Sequence, residues 1–173
     1  MDSSNVDLEK PAIYVVATPI GNLSDFSLRG QQVLKSVDFI LAEDTRKTSL
    51  LLQRYKVKNR MFSYHDFSEV ARVDEILKVI LETPAAVALV TDSGTPLVSD
   101  PGFRIVKRGS EEGVPVVPIP GPSALTACLS ISDVPVDRFI FEGFLPSRDS
   151  ARVNHLRELR YESRSMVFYE APH

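Results

Sequence analysis

The chain has 173 residues, 43% hydrophobic and 25% charged, the make-up of a folded globular protein with one domain, or one and part of a second. No uninterrupted apolar run approaches the roughly 20 residues of a membrane-spanning helix. The net charge of −3 offers no global basic field, so any nucleic-acid role rests on a local patch. A single cysteine closes no internal disulfide, no Cys/His cluster has zinc-ligand spacing, and the polar start MDSSNVDLEK lacks the apolar core of a secretory signal. This balance points to a reducing, cytoplasmic compartment.

After a polar tail over residues 1–11, the pattern predicts a strand at Ile13–Ala17 and a helix at Ser27–Ser36. Between them lies TPIGNLSDFSLRG (Thr18–Gly30), where Pro19 and Gly21–Asn22 shape a bend and Ser24 or Asp25 offers a helix cap. Ligands of open α/β sheets bind at such carboxyl strand ends. The GxGxxG dinucleotide fingerprint and the Walker-type phosphate loop are both absent.

A strand at Phe39–Ala42 and a helix at Thr45–Tyr55 follow. The stretch Ala42–Arg60 carries Arg46, Lys47, Arg54, Lys56, Lys58 and Arg60 against Glu43 and Asp44, an excess of four positive charges. The plain reading is a solvated face; the sharper one is a phosphate-holding patch beside Tyr55. A strand at Met61–Tyr64 ends at His65 and Asp66, read as a loop histidine rather than a base. The helix Ser68–Glu82 puts Val70, Val73, Leu77 and Ile80 on one face, with Ile76 beside them and Ser68 as N-cap.

The strand Ala86–Thr91 contains the continuous run AVALV, suited to a strand covered on both faces. It runs into TDSGTPLVSDPG (Thr91–Gly102), whose Pro and Gly residues fix the backbone while Asp92, Ser93, Thr95, Ser99 and Asp100 supply acceptors. Such a loop suits a cationic or polyhydroxylated ligand, and Asp100 also fits as the cap of the next helix, Phe103–Glu112. After a strand at Val114–Pro118 comes PIPGPSALTACLS (Pro118–Ser130). There Gly121, Ser123, Ala124 and Ala127 admit a ligand close to the start of a helix at Ser123–Ser130, while Cys128, among Ala and Leu, reads as a core residue.

The cluster Pro115, Pro118, Pro120 and Pro122 marks a boundary between a domain over residues 12–118 and a second over 119–173. The latter holds strands at Phe139–Gly143 and Met166–Tyr169 around a helix at Ser150–Arg160. Arg148, Arg152, Arg157, Arg160 and Arg164, partly neutralised by Asp149, Glu158 and Glu162, read as a solvated helix surface with His155 exposed. The segment stops directly after a strand, as in a domain cut short. Alternation throughout implies right-handed crossovers and an α/β fold: a mainly parallel sheet in the first domain and an incomplete second α/β domain. Nothing offers a Ser-His-Asp triad with nucleophile-elbow context.

Taken together, ATPIGNLSDFSLR, AEDTRKT, TDSGTPLVSDPG, PIPGPSA, FEGFLPS and YEAPH resemble the ribosomal RNA small subunit methyltransferase I family, whose members are 2′-O-ribose methylases of the tetrapyrrole-methylase-like (class III) fold. The motifs are collinear from Ile13 to His173. The resemblance implies transfer of a methyl group from S-adenosyl-L-methionine to the ribose 2′-hydroxyl of a cytidine in 16S ribosomal RNA. It also implies two α/β domains, a homodimer and no metal. By the same resemblance, Pro19, Ile20, Gly21, Asn22, Ser93, Gly94, Thr95, Val98, Ser123 and Ala124 hold the cofactor, on the three turns that the residues alone single out.

The donor is already activated, so the enzyme has to hold the ribose oxygen in line and help it lose a proton. Asp44 or Asp92 is the candidate acceptor or orienting group, and Arg46 the candidate for steering phosphate, with Lys47, Arg54, Lys56, Lys58 and Arg60 extending the RNA-binding patch. Family members continue past the YEAPH segment, which gives the expectation that this chain binds cofactor weakly unless a partner chain completes the cleft. Two other readings are methylation of a small-molecule or protein substrate on the same scaffold, and a truncated, non-catalytic homologue that dimerises and binds RNA.

Overall fold

Five apolar runs too short to be helices become β1 (Ala12–Val16), β2 (Phe39–Ala42), β3 (Met61–Ser63), β4 (Ala86–Val90) and β5 (Val116–Ile119). They pair in parallel in the order β3-β2-β4-β1-β5. The computed structural model describes residues 6–64 and 70–171. Two units make up the chain, Met1–Ser123 and Ala124–His173, and the sheet belongs to the first.

Four helices cover this sheet: α1 (Leu28–Ser36), α2 (Thr45–Arg54), α3 (Val70–Glu82) and α4 (Phe103–Glu111). Val33 and Leu34 of α1 and Leu52 of α2 pack with Tyr14, Val16, Ile40, Ala88 and Val90 on one face. On the other, Val73, Leu77 and Ile80 of α3 and Ile105 of α4 pack with Ile13, Leu41, Val87 and Leu89. With helices on both sides, every residue of β4 is buried, which explains why its sequence is continuously apolar rather than alternating.

The crossover from β1 carries α1 over β4 toward one edge, while the crossover from β4 carries α4 over β1 toward the other. The neighbouring strands β1 and β4 therefore send their connections to opposite faces. That is a topological switch point, where a crevice opens outside the carboxyl ends of the strands.

Several local details differ from the sequence reading. Helix α1 is capped by Ser27, whose Oγ accepts from the Gly30 N–H at 3.0 Å, and not by Ser24 or Asp25. Those two lie in a short 3-10 turn, Leu23–Asp25, which the Asn22 side chain caps. β5 starts at Val116 because the Val114 N–H closes the end of α4 by donating to the Gly109 carbonyl at 2.8 Å. Asp100 does not cap α4; the N-cap is Gly102, with no side-chain hydrogen bond. Ser68, His65 and Asp66 lie outside the described residues.

The second unit consists of α5 (Ala124–Ser130), β6 (Phe139–Phe144), α6 (Asp149–Glu158) and β7 (Ser165–Tyr169), with β6 and β7 paired in parallel. Tyr169 is its aromatic hub, edge-on to Phe141 at 4.8 Å and to Phe144 at 5.5 Å, while its hydroxyl accepts from the Leu125 N–H. No described residue of this unit is fully buried. Cys128 is accordingly exposed rather than a core residue, because α5 has no packed face to bury it. His155 is half-buried rather than free, with Nε2 3.3 Å from Glu142 Oε2 on β6. Among the described residues, no helix is long and apolar enough to cross a membrane, and no group of three or more His, Cys, Asp and Glu is placed to hold a metal.

Gly102 joins the long loop after β4 to α4 at φ +132°, and a Cβ there would lie 2.7 Å from Leu89 Cδ2. Gly102→Ala combines backbone strain with overpacking and is expected to destabilise the first unit by about 2–4 kcal/mol. A lowered urea midpoint at unchanged slope is the expected measurement.

Candidate functional site

Two hydroxyl residues end the strands at the switch point, Thr18 after β1 and Thr91 after β4, both buried. The Thr18 hydroxyl donates to the Thr91 carbonyl at 3.2 Å. A short antiparallel bridge then ties the two loops: Thr18 N–H donates to Gly94 C=O at 2.8 Å, and Gly94 N–H returns to Thr18 C=O at 3.1 Å. Ser93 Oγ adds a bond to the Pro19 carbonyl at 3.3 Å. The third turn joins through Thr95 Oγ1, which donates to the Pro122 carbonyl at 3.1 Å. A Cβ on Gly121 would lie 3.0 Å from Ala17 Cβ, tighter than an ordinary contact, so glycine eases the close run of that turn past the end of β1.

The structure thus brings together the Pro19–Asn22 bend, the Ser93–Val98 stretch and the turn ending at Ser123. Ala124 is the first residue of the second unit. The long loop is held in an uncommon conformation, with Leu97 and Ser99 at positive φ of 73° and 62° alongside Gly94 and Gly102. Non-glycine residues persist in that region only where their surroundings over-determine them, which is common at ligand sites.

Beside these turns lies a pocket of about 420 Å³ lined by Thr18–Gly21 and Thr91–Ser93 from the loops, Leu23, and Lys47, Thr48, Leu50 and Leu51 of α2. Thr18, Thr48 and Leu51 line this pocket without having been singled out as candidate site residues from the sequence, and Glu43, likewise not singled out, bonds to its Asp92. The repeated strand-final Ala17–Thr18 and Val90–Thr91 pairs were a usable signal for the first.

Charge is arranged in short-range pairs. Asp44 caps α2, accepting from the Arg46 N–H at 2.8 Å, and its carboxylate also takes a forked pair from the Arg46 guanidinium at 3.0 and 2.8 Å. These bonds hold the Asp44 carboxyl well below the usual carboxylate range. Arg46 itself is 89% exposed. Lys47 Nζ meets Asp92 Oδ2 at 2.6 Å, which raises the lysine and keeps it charged. The Asp92 N–H donates to Glu43 Oε2 at 3.1 Å. Asp92 Oδ1 is buried with no hydrogen-bond partner among the described residues.

Asp100 stands near this group. Burial pushes its carboxyl up to about 6, with Glu43 and Asp92 adding to the effect and the Thr91 hydroxyl opposing it. Of the remaining basic residues, Arg54, Lys56, Lys58 and Arg60 are exposed at the far end of α2 and on the approach to β3, away from the pocket lining. Lys56 is the left-handed residue that ends α2, with φ 53°. Tyr55 braces the first turn, edge-on to Phe26 at 5.1 Å, with its hydroxyl donating to the Leu23 carbonyl.

Residues 12–173 match the family profile of the tetrapyrrole (corrin/porphyrin) methylases. The chain belongs to that family. Within it, the chain falls in the ribosomal RNA small subunit methyltransferase I branch. It is 44% identical to the protein of that name from Thermotoga maritima, over 92% of this chain and 71% of the relative. It is also 44% identical to the one from Vibrio cholerae, over 99% of this chain and 59% of the relative. The chain thus spans about three-fifths of the length of most curated relatives it matches. In fold it is similar to the crystal structure of diphthine synthase, with TM-score 0.72 at 16% identity, over 94% of this chain and 65% of that one.

The Asp100 proton sets a pH dependence. Its folded value of about 6 lies above the ordinary 3.8, so its stabilising contribution is full below the latter and is lost as pH rises through the former. Asp100→Asn is expected to gain on the wild type as pH rises from about 4 to 7, by on the order of 1 kcal/mol given solvent screening at a partly exposed site. Thermal melts at both pH values check this; a gap that stays constant contradicts it.

Proposed function

We propose that this chain carries the cofactor turns and acceptor-side polar groups of an S-adenosyl-L-methionine-dependent methyltransferase. Its acceptor is the ribose 2′-hydroxyl of a cytidine in 16S ribosomal RNA, and the working form is a cytoplasmic homodimer. The observation that carries the reading is the locking of three motif turns at the switch point, beside a pocket with surplus acceptors. The names of the relatives and the local cation excess in Ala42–Arg60 support the ribosomal RNA part.

The residues present fit the cofactor. A sulfonium is cationic and seeks oxygen acceptors, and Asp92 Oδ1 is a buried oxygen that lacks a donor. The Pro19–Asn22 bend, the Ser93–Val98 stretch and Ser123–Ala124 would hold the group. When bound, it supplies an activated methyl carbon.

The chain's own residues then have separable roles. Asp92 is the better-placed proton acceptor, because one oxygen remains unpartnered while Lys47 engages the other. Asp44 is a poor base, its oxygens being committed to the N-terminus of α2 and to the Arg46 fork. Its task is to aim Arg46, whose guanidinium faces solvent where an RNA phosphate can reach it. Lys47 adds a second cation at the pocket, favouring a developing alkoxide or a neighbouring phosphate.

A tritium-transfer assay on small-subunit RNA tests the division of labour. Arg46→Ala is expected to lower methylation about tenfold, the loss of one charge-assisted phosphate contact, with S-adenosylhomocysteine affinity intact by calorimetry. Equal loss of both would refute the role given to Arg46. Asp92→Asn should reduce turnover by about two orders of magnitude, as for a general base.

A further inference from the structure

A second and larger cavity, about 570 Å³, opens on the α3 side of the sheet at its outer edge, and the methylation chemistry leaves it unused. Its walls are Phe39, Leu41, Phe62, Ile76 and Val79, with Arg60 at the rim. The volume falls in the range of small-ligand sites. Phe39 and Phe62 meet edge to face at 5.5 Å, and Phe62 remains 44% exposed because β3 is the last strand of the sheet.

The backbone sorts the side chains here. Asn59 turns inward, its Nδ2 donating to the carbonyls of Leu34 and Val37, and Met61 packs on the α1 side of the core. Alternation then puts Arg60 and Phe62 on the opposite face, about 6.6 Å apart along the strand, with exposed Lys58 preceding them.

The acids at the rim are already engaged. Asp38 is paired with Lys10 at 2.8 Å and accepts from the Ala86 N–H, while Glu75 is paired with Arg72 at 3.3 Å. Arg60 makes no ion pair within 4 Å among the described residues, and the Asp38 charge that it feels through space is already paired with Lys10, so a positive group stands next to an exposed ring over an apolar hollow. A cation beside a stacking ring is the combination with which single-stranded nucleic acid is held, phosphate on the one and base on the other.

We propose that this cavity takes an unpaired nucleobase of the RNA strand, stacked on Phe62, with the adjoining phosphates on Arg60 and Lys58. The inference rests on the ribosomal RNA reading above and adds a second RNA contact, distinct from the methylation pocket. It anchors a nucleotide flanking the target rather than the target itself.

The probe is a single-stranded oligocytidylate carrying one 2-aminopurine, titrated against the full chain, with base stacking read as fluorescence quenching. Phe62→Leu keeps an apolar side chain but removes the ring; it should weaken binding about tenfold and abolish most of the quenching at saturation. Arg60→Ala should weaken binding by a similar factor, retain the quenching, and lower the salt slope by about 1. S-adenosylhomocysteine affinity should stay unchanged in both variants, which shows that the fold is intact. If the wild type binds the oligonucleotide and Phe62→Leu matches it in affinity and quenching, the stacking site is overturned and the methyltransferase reading survives. If the wild type binds no RNA, both fall. A change in sedimentation of Phe62→Leu without a change in RNA binding would assign the cavity to contacts between copies of the chain and overturn the proposal.

Discussion

The pair of hydrogen bonds between Thr18 and Gly94 is the constraint on which the site depends. Parallel strands place their carboxyl ends together but do not fix the loops that leave them. Here the loops after β1 and β4 depart toward opposite faces, and without a link each would be an independent, mobile surface segment. The bridge, reinforced by the buried Thr18 hydroxyl on Thr91, makes them one body. Thr95 then recruits the turn after β5 by a single bond to Pro122. Preorganisation of this kind removes an ordering cost that a ligand would otherwise meet on binding. It also explains how Leu97 and Ser99 can be held at positive φ.

Electrostatics at this rim follow from the same geometry. Glu43, Asp92 and Asp100 lie together at one end of the sheet, and burial beside the other two charges raises the proton affinity of Asp100. The first turn of α2 supplies the compensation: Arg46 answers Asp44, and Lys47 answers Asp92. The compensation is incomplete, since Asp100 is left with a raised proton affinity and Asp92 with one unpartnered oxygen. A site finished for stability alone would have paired both. The residual need for a donor or a positive charge is what supports the proposal of a cationic cofactor and a hydroxyl acceptor here.

The architecture was legible in the sequence because its signals are local. Continuous runs such as AVALV report a strand covered on both faces, and Val73, Leu77 and Ile80 report one face of a helix. The loop motifs stood out because so many hydroxyls, carboxylates and glycines exceed what a turn needs, and the structure brings those loops together. What the sequence concealed depends on distance through space. Nothing in the order of residues says that Lys47 reaches Asp92, that Asp44 is consumed by Arg46, or that Ser27 caps α1 ahead of Asp25. The split of the basic run into two near the pocket and four beyond it appears only once α2 has been laid down along the sheet. Cys128 was misread for a related reason. Its neighbours are small and apolar, but burial needs a surface to pack against, and that is a property of the surrounding fold.

The two units differ in kind. The first buries side chains on both faces of its sheet and contains all the hydrogen bonds that lock the turns, out to Pro122. The second has a two-stranded sheet, a half-buried Tyr169 hub and large apolar residues, among them Ile131, Phe144 and Met166, open to solvent. The hydrogen bonds that lock the turns close within the first unit. Ser123 and Ala124, adjacent in sequence, sit on either side of that divide. The Pro19–Asn22 bend and the Ser93–Thr95 stretch are fixed by bonds that close within the first unit's core.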